Sequence, residues 1–257
     1  MPEAPEKFNA AMTTWQEWQD APWGRLRYAI AEANLARHLD DLGDGPLRIL
    51  DLAGGDGGDA MRLAARGHHV TVVDHAPAML AAATERASTA GLTELITCVR
   101  ADVTALPADL AAGAFDVVLC HNLLQYVDDV PGILATALAP LKPGGLFSMM
   151  AINRHSAALS IAVRETDPAA ALAALGTDRS RTQTFDSAVT LHTAERSSRS
   201  CKASAARTYG TTASAASATT SPTTRENTTR RSTRTLSNWN SPRPRCRPTC
   251  TQLGSSS

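Results

Sequence analysis

Three acids stand at or just after the ends of three apolar runs, and a glycine-rich turn separates the first two. Asp51 lies near the end of Arg48-Ile-Leu-Asp-Leu52, Asp74 closes His69-Val-Thr-Val-Val-Asp74, and Asp102 follows the run Leu95 to Ala101. The turn reads Ala53-Gly54-Gly55-Asp56-Gly57-Gly58-Asp59. Glycines let a backbone pass close to a ligand, and the helix that follows such a turn offers unpaired N–H groups at its start. An acid ending the second strand is placed to grip a ribose. Together these residues imply a site for a nucleoside-containing cofactor.

Two cofactor classes compete. Gly55-Asp-Gly57-Gly-Asp-Ala60 fits the G-x-G-x-x-A dinucleotide fingerprint, and Asp74 lies near the distance expected of a ribose acid, so a nicotinamide-dependent oxidoreductase is a fair reading. Three features point elsewhere. Asp51 sits where a dinucleotide site runs apolar into its first glycine, and an acid there repels phosphate but welcomes a cation. Asp102 adds a third acid, in Ala101-Asp-Val103-Thr-Ala-Leu-Pro107, and Leu141-Lys-Pro-Gly-Gly145 precedes the fifth strand. Three acids on successive strands match a ligand with an amine, a ribose and an adenine amino group.

The elements that must position these residues alternate. Apolar residues at helical spacing (Leu35, Leu39, Leu42) predict a helix from Leu26 to about Leu42, stopped by Gly43. Strands are expected at Leu47 to Leu52, His69 to Asp74, Leu95 to Ala101, Phe115 to Cys120 and Leu146 to Ile152. Helices are expected at Asp56 to Ala65, Pro77 to Ala90 and Pro131 to Leu141, with Lys142-Pro-Gly-Gly145 as a turn and Ser156 to Leu175 as an alanine-rich helix. The strands are continuous Val/Ile/Leu-type runs, the pattern of a parallel sheet covered on both faces. The fold class is therefore α/β, a doubly wound, mostly parallel sheet.

As a set, the glycine motif, the acids after strands two and three and the Pro-Gly-Gly turn resemble the class I S-adenosylmethionine-dependent methyltransferases, over about Trp23 to Glu195. Ala53 departs from the first glycine of the family's D-x-G-x-G, although Ala-Gly-Gly versions also occur. Pro22-Trp-Gly-Arg-Leu-Arg27, with Cys120-His-Asn-Leu-Leu-Gln-Tyr126 after strand four, is similar to the bacterial tRNA 5-carboxymethoxyuridine methyltransferases, which esterify the carboxylate of a modified wobble uridine. The resemblance implies S-adenosylmethionine as cofactor, with Arg27 on its methionine carboxylate and Asp51, Ala53, Gly54, Gly55 and Gly57 lining it. It implies Asp74 on the ribose, Asp102 and Val103 at the adenine, and His121 beside the sulfonium. The methyl acceptor would be tRNA or a small molecule. No metal is implied, because the leaving thioether is neutral. A carboxylate acceptor needs no base, whereas a hydroxyl or amine needs one, with His121 as first candidate.

Each residue also has a plainer role. The glycines could simply make a tight turn, Asp51 could cap loop amides, Asp74 could be a solvated strand end, and Asp102 could be a turn residue. Arg27 could lie on a helix surface and His121 could be structural. Trp15, Trp18 and Trp23 could form a substrate lid or pack the edge of the domain. Arg154, Arg179 and Arg181 could touch a nucleic-acid backbone or form a solvated face.

The chain has 257 residues and a formal net charge of zero, but the average hides an acidic N-terminal three-quarters and a basic remainder. From Arg196 onward there is no Val, Ile, Met or Phe, and Glu226 is the only acid. Such a segment cannot bury enough apolar surface to offset roughly 1–2 kcal/mol of backbone entropy per residue, so residues 196–257 are expected to be a disordered basic tail. The tail fits three origins: a natural low-complexity tail, an Arg/Ser-type nucleic-acid-binding tail that would make this a non-enzymatic RNA-binding protein, or the out-of-frame reading of GC-rich DNA. The last would leave the sheet incomplete at its C-terminal strands, its apolar edge exposed and activity impaired. The five cysteines show no metal-ligand spacing, and Cys98 and Cys120 read as buried thiols. No signal peptide or membrane-length apolar run is seen, so a cytoplasmic protein is expected.

Overall fold

The computed structural model of the chain describes residues 5–110, 113–182 and 184–209, together with 218–219 and 250–251. Its centre is a five-stranded sheet in the order β3-β2-β1-β4-β5, all parallel. The strands are β1 (Arg48–Leu52), β2 (His69–Asp74), β3 (Ile96–Arg100), β4 (Phe115–His121) and β5 (Leu141–Met150). The order reverses at β1, so the crevice beyond the carboxyl ends of β1 and β4 is where such a sheet binds ligands.

Side chains alternate across the sheet, and both faces are buried. Leu50, Leu52, Val118, Phe147 and Met149 pack with Leu134 and Leu138 of α6 (Val130–Leu138). Ile49, Val70, Val72, Val117 and Leu119 pack on the other face with Leu35 and Leu39 of α3 (Pro22–Leu39), Leu63 of α4 (Gly58–Ala64) and Leu80 of α5 (Pro77–Thr89). Two short helices precede these, α1 (Pro5–Ala10) and α2 (Met12–Asp20).

Several expected boundaries move. The third helix starts at Pro22, a good first-turn residue, and ends in a 3-10 turn at Asp40–Leu42. Lys142-Pro-Gly-Gly145 bulges out within β5, between the pairs Phe115–Leu141 and Val117–Leu146, with Gly144 at φ 80°. The single helix expected from Ser156 to Leu175 is interrupted. It comprises α7 (Arg154–Ser160), a π-turn (Ile161–Glu165) and α8 (Pro168–Ala174), because Thr166 turns left-handed at φ 51° and Pro168 cannot continue a helix. An antiparallel hairpin, β6 (Arg179–Thr182) with β7 (Ser187–Thr190), lies apart from the main sheet. Beside the end of β5, only the single bridge Asn153–His192 continues the pairing among the described residues.

One helix runs through the expected start of the tail. α9 (Ala194–Tyr209) crosses position 195, with Ser197, Cys201 and Ser204 buried. The disorder expected from Arg196 therefore does not hold as far as Tyr209. Most of the remaining tail lies outside the described residues; the exceptions are Ala218–Thr219 and Cys250–Thr251, which pair as two short strands, β8 and β9. Cys120 is fully buried as expected, but Cys98 is only half-buried. No helix among the described residues is long and apolar enough to cross a membrane.

Candidate active site

A cavity of about 880 Å3 opens at the carboxyl ends of the strands. It gathers most of the residues singled out in the sequence: Arg27, Asp51, Ala53, Gly54, Gly55 and Asp74, and also Asp102, Val103 and His121. Gly57 is the exception. It caps α4 at φ 75°, and a Cβ there would face Met61 and Ala83 rather than the cavity. Among the described residues no cluster of His, Cys, Asp and Glu could hold a metal ion.

The glycine turn is shaped from within. Ala53 and Gly55 both adopt left-handed backbone, at φ 54° and 57°. Asp74 secures the turn, its two carboxylate oxygens accepting from the N–H groups of Gly55 (2.9 Å) and Ala76 (2.8 Å). The carboxylate keeps lone-pair capacity for a hydroxyl donor. Burial pushes the Asp74 carboxyl up, opposed by the backbone N–H groups of Ala76, Gly55 and His75 and by the His75 ring. Burial also drives Asp51 well above the usual carboxylate range, reinforced by the nearby Asp59 and opposed by Arg27. Asp102 is held low by the Thr104 N–H, which donates to it at 2.8 Å.

Arg27 is buried, with 8 % of its side chain exposed, on the face of α3 toward the cavity. Its Nη2 lies 3.6 Å from Asp59 Oδ2, while Nε and Nη1 have no hydrogen-bond partner. A buried guanidinium with two idle donors is costly unless a ligand completes it. Burial alone would raise the Asp59 carboxyl, but Arg27 and His121 together bring it down to about 2. His121 is wedged between protein partners, Nδ1 2.9 Å from Asp59 Oδ2 and Nε2 2.9 Å from Ser148 Oγ.

A second network, whose members no sequence spacing connects, lies beneath the turn. Asp56 is buried and accepts from Gln19 Nε2 (2.8 Å) and Trp15 Nε1 (3.2 Å), and it pairs with Arg86 of α5. The pair ties α2 and α5 to the glycine loop. Trp15 stacks on Trp18, and Phe8, Tyr126 and Phe185 continue an aromatic wall along the cavity. Trp15 and Trp18 thus stand at the cavity, whereas Trp23 is exposed. Arg154 pairs with Asp178 and Arg181 with Asp186, so these two arginines are engaged within the hairpin region.

A parallel α/β sheet with order 3-2-1-4-5, a glycine turn after its first strand and acids after the next two defines a nucleoside-cofactor enzyme class. The comparisons with known proteins narrow it. Residues 49–145 match the family model described as a methyltransferase domain. The chain is 36% identical over 135 residues to the tRNA 5-carboxymethoxyuridine methyltransferase of Escherichia coli (strain K12), covering 51% of this chain and 50% of that protein. It is 32% identical over 176 residues to the ubiquinone biosynthesis O-methyltransferase of Xanthomonas axonopodis pv. citri (strain 306), covering 67% and 70%. The chain thus spans half the length of the first relative and about two thirds of the second. Among solved structures, a SAM-dependent methyltransferase from Thermotoga maritima superposes with a TM-score of 0.54 at 16% identity, over 77% of this chain and 79% of that one. The [4+2]-cyclase SpnF gives 0.55 at 22% identity, over 72% and 58%. Those two likenesses concern the fold. The chain belongs to the S-adenosylmethionine-dependent methyltransferases.

Proposed function

We propose that the cavity binds S-adenosylmethionine and that the chain directs methyl transfer to an acceptor held toward the aromatic wall. One observation carries the reading: a buried Arg27 with two idle donors opens on the same cavity as the glycine turn and Asp74. The cofactor's chemistry fits that arrangement. A carboxylate would accept from an idle Arg27 donor, Nε or Nη1, an ammonium would relieve the buried Asp51, and ribose hydroxyls would donate to Asp74. Bound there, the cofactor supplies an electrophilic methyl on a sulfonium. The chain's own contribution is to hold donor and acceptor close and aligned while the cavity walls exclude water.

The first reading of the acceptor is the carboxylate of a modified wobble uridine on tRNA. The relative in Escherichia coli supports it. So does His121, because both ring nitrogens are taken by Asp59 and Ser148 and neither is left to remove an acceptor proton. A carboxylate is already anionic near neutral pH and needs no such base. His121 is then a residue that shapes the sulfonium side rather than a general base. A second reading, a hydroxyl on a small flat ring, is favoured by the aromatic wall of Phe8, Trp15, Tyr126 and Phe185 and by the ubiquinone-pathway relative. We read the catalytic domain as continuing through α9, with any effect of the basic tail falling on activity rather than on cofactor binding.

Methyl-labelled S-adenosylmethionine separates the readings. Label incorporated into tRNA carrying 5-carboxymethoxyuridine, and released by mild alkali as an ester would be, supports the first. Label in a catechol with none in tRNA supports the second. Binding of NAD(H) in place of S-adenosylhomocysteine would reject both.

A further inference from the structure

Behind Arg27 runs a buried chain of side chains drawn from four elements. Ser148 Oγ of β5 lies 2.9 Å from His121 Nε2 at the end of β4, and His121 Nδ1 lies 2.9 Å from Asp59 Oδ2 in the first turn of α4. The same Asp59 oxygen faces Arg27 Nη2 of α3 at 3.6 Å. Ser148 and His121 are 4 % and 8 % exposed, so water does not complete these contacts freely. An ionised carboxylate only accepts, so His121 must donate from Nδ1. Nε2 is closed off by the Ser148 hydroxyl, which can either donate to it or accept from it. The ring is thus held at both nitrogens, with its Nδ1–H on Asp59.

The consequence falls on Arg27. One terminal nitrogen, Nη2, is drawn to Asp59, which is itself held from behind, while Nε and Nη1, on the two sides of Nη2, have no hydrogen-bond partner within the protein. Either of them, together with the second Nη2 hydrogen beside it, presents a pair of N–H groups that matches the two oxygens of a carboxylate. A long flexible side chain tethered at one end loses less entropy when it meets its ligand.

We propose that Asp59, His121 and Ser148 are positioning residues that hold Arg27 in register for the carboxylate end of the cofactor, an assignment that rests on reading Arg27 as the carboxylate ligand. None of the three needs to touch that carboxylate. Their effect is confined to the amino-acid end of the ligand and does not extend to its nucleoside.

The test compares two ligands by calorimetry on the full chain. S-adenosylhomocysteine carries the amino-acid end; 5′-methylthioadenosine has the same nucleoside and thioether without it. Arg27→Ala should lose about tenfold or more in affinity for the first and keep its affinity for the second within about twofold. Ser148→Ala and Asp59→Asn should lose about threefold to tenfold for the first alone, and Ser148→Thr, which restores the hydroxyl, should recover it. Ser148→Ala removes a single oxygen and carries the test if Asp59→Asn does not fold. Equal losses for both ligands, or no loss for either, while Arg27→Ala still discriminates, would overturn the positioning role and leave the Arg27 reading standing. A gain for Asp59→Asn would mean that Asp59 acts by repelling the ligand carboxylate, which also overturns it. If Arg27→Ala itself fails to discriminate, the reading of Arg27 falls and the positioning role falls with it.

Discussion

Tyr28 and Gly58 pack so closely that a Cβ on Gly58 would sit 2.5 Å from the Tyr28 Oη. That contact seats α3 against the start of α4 and so sets the height of Arg27 above the glycine turn. Gly58→Ala cannot be absorbed by a flexible chain end, because Tyr28 is buried. Overpacking of this kind costs about 1–3 kcal/mol. The thermal midpoint should fall by several degrees, and S-adenosylhomocysteine affinity should fall with it; an unchanged midpoint would show that α3 can move away freely.

Ala53 holds a left-handed backbone at φ 54°, a conformation in which Cβ crowds the following carbonyl. It occupies the position where many family members carry glycine. Ala53→Gly should therefore stabilise the protein by about 1 kcal/mol, even after the extra entropy of the unfolded glycine. Urea denaturation checks this, and a loss of stability would mean that the Ala53 methyl packs more usefully than its backbone suggests.

Two neighbouring carboxyls pull stability in opposite directions with pH. Arg27 and His121 outweigh burial to hold Asp59 at about 2, below its unfolded value, so its contribution is present above the unfolded value and is lost as pH falls toward 2. That contribution is on the order of 2 kcal/mol. Asp51 is raised by burial and by Asp59, so the folded state takes up a proton there and loses stability as pH rises from the unfolded value through the raised one. Asp51→Asn should thus stabilise the ligand-free protein at neutral pH while weakening S-adenosylhomocysteine. Melting curves between pH 4 and 8 should be flatter for the variant than for the wild type; identical slopes would place the proton elsewhere.

Asp56 is buried against Gln19, Trp15 and Arg86, and removing its charge leaves Arg86 without its buried partner. Asp56→Ala should cost about 1–3 kcal/mol, less than the loss of a fully buried pair, because Arg86 is partly exposed and water can take the place of its partner. Gln19→Leu should cost less and act locally. Limited proteolysis should then cut within residues 5–21 of the Gln19 variant sooner than within the sheet. Simultaneous cleavage everywhere would show that α2 is not separately anchored.

The central strands were legible because a sheet buried on both faces leaves continuous apolar runs, as in Arg48–Leu52 and Phe115–His121. The acids at their ends were legible for the same reason: each interrupts such a run at the place where the chain turns toward a ligand. The partners of those residues were not. Asp59 meets Arg27 and His121, and His121 meets Ser148, across separations that no local spacing records, and Asp56 meets Gln19 in the same way. α9 was hidden by its composition. Its buried face is Ser197, Cys201 and Ser204, spaced at i, i+4 and i+7 as a helix requires but too small and polar to register as apolar. The break at Thr166, between the π-helical Ile161–Glu165 and α8, was hidden because alanine-rich sequence favours helix on both sides of it.

In the proposed complex a sulfonium nucleoside lies against the glycine turn with its ribose on Asp74. Calorimetry with S-adenosylhomocysteine on wild type and on Asp74→Ala tests that most directly, with NADH titrated in parallel. One molecule of S-adenosylhomocysteine should bind per chain, Asp74→Ala should bind it about tenfold or more weakly, a loss of about 1.4 kcal/mol, and NADH should give no heat above dilution. Saturable NADH binding in place of S-adenosylhomocysteine, or equal S-adenosylhomocysteine affinity in the two proteins, would contradict it.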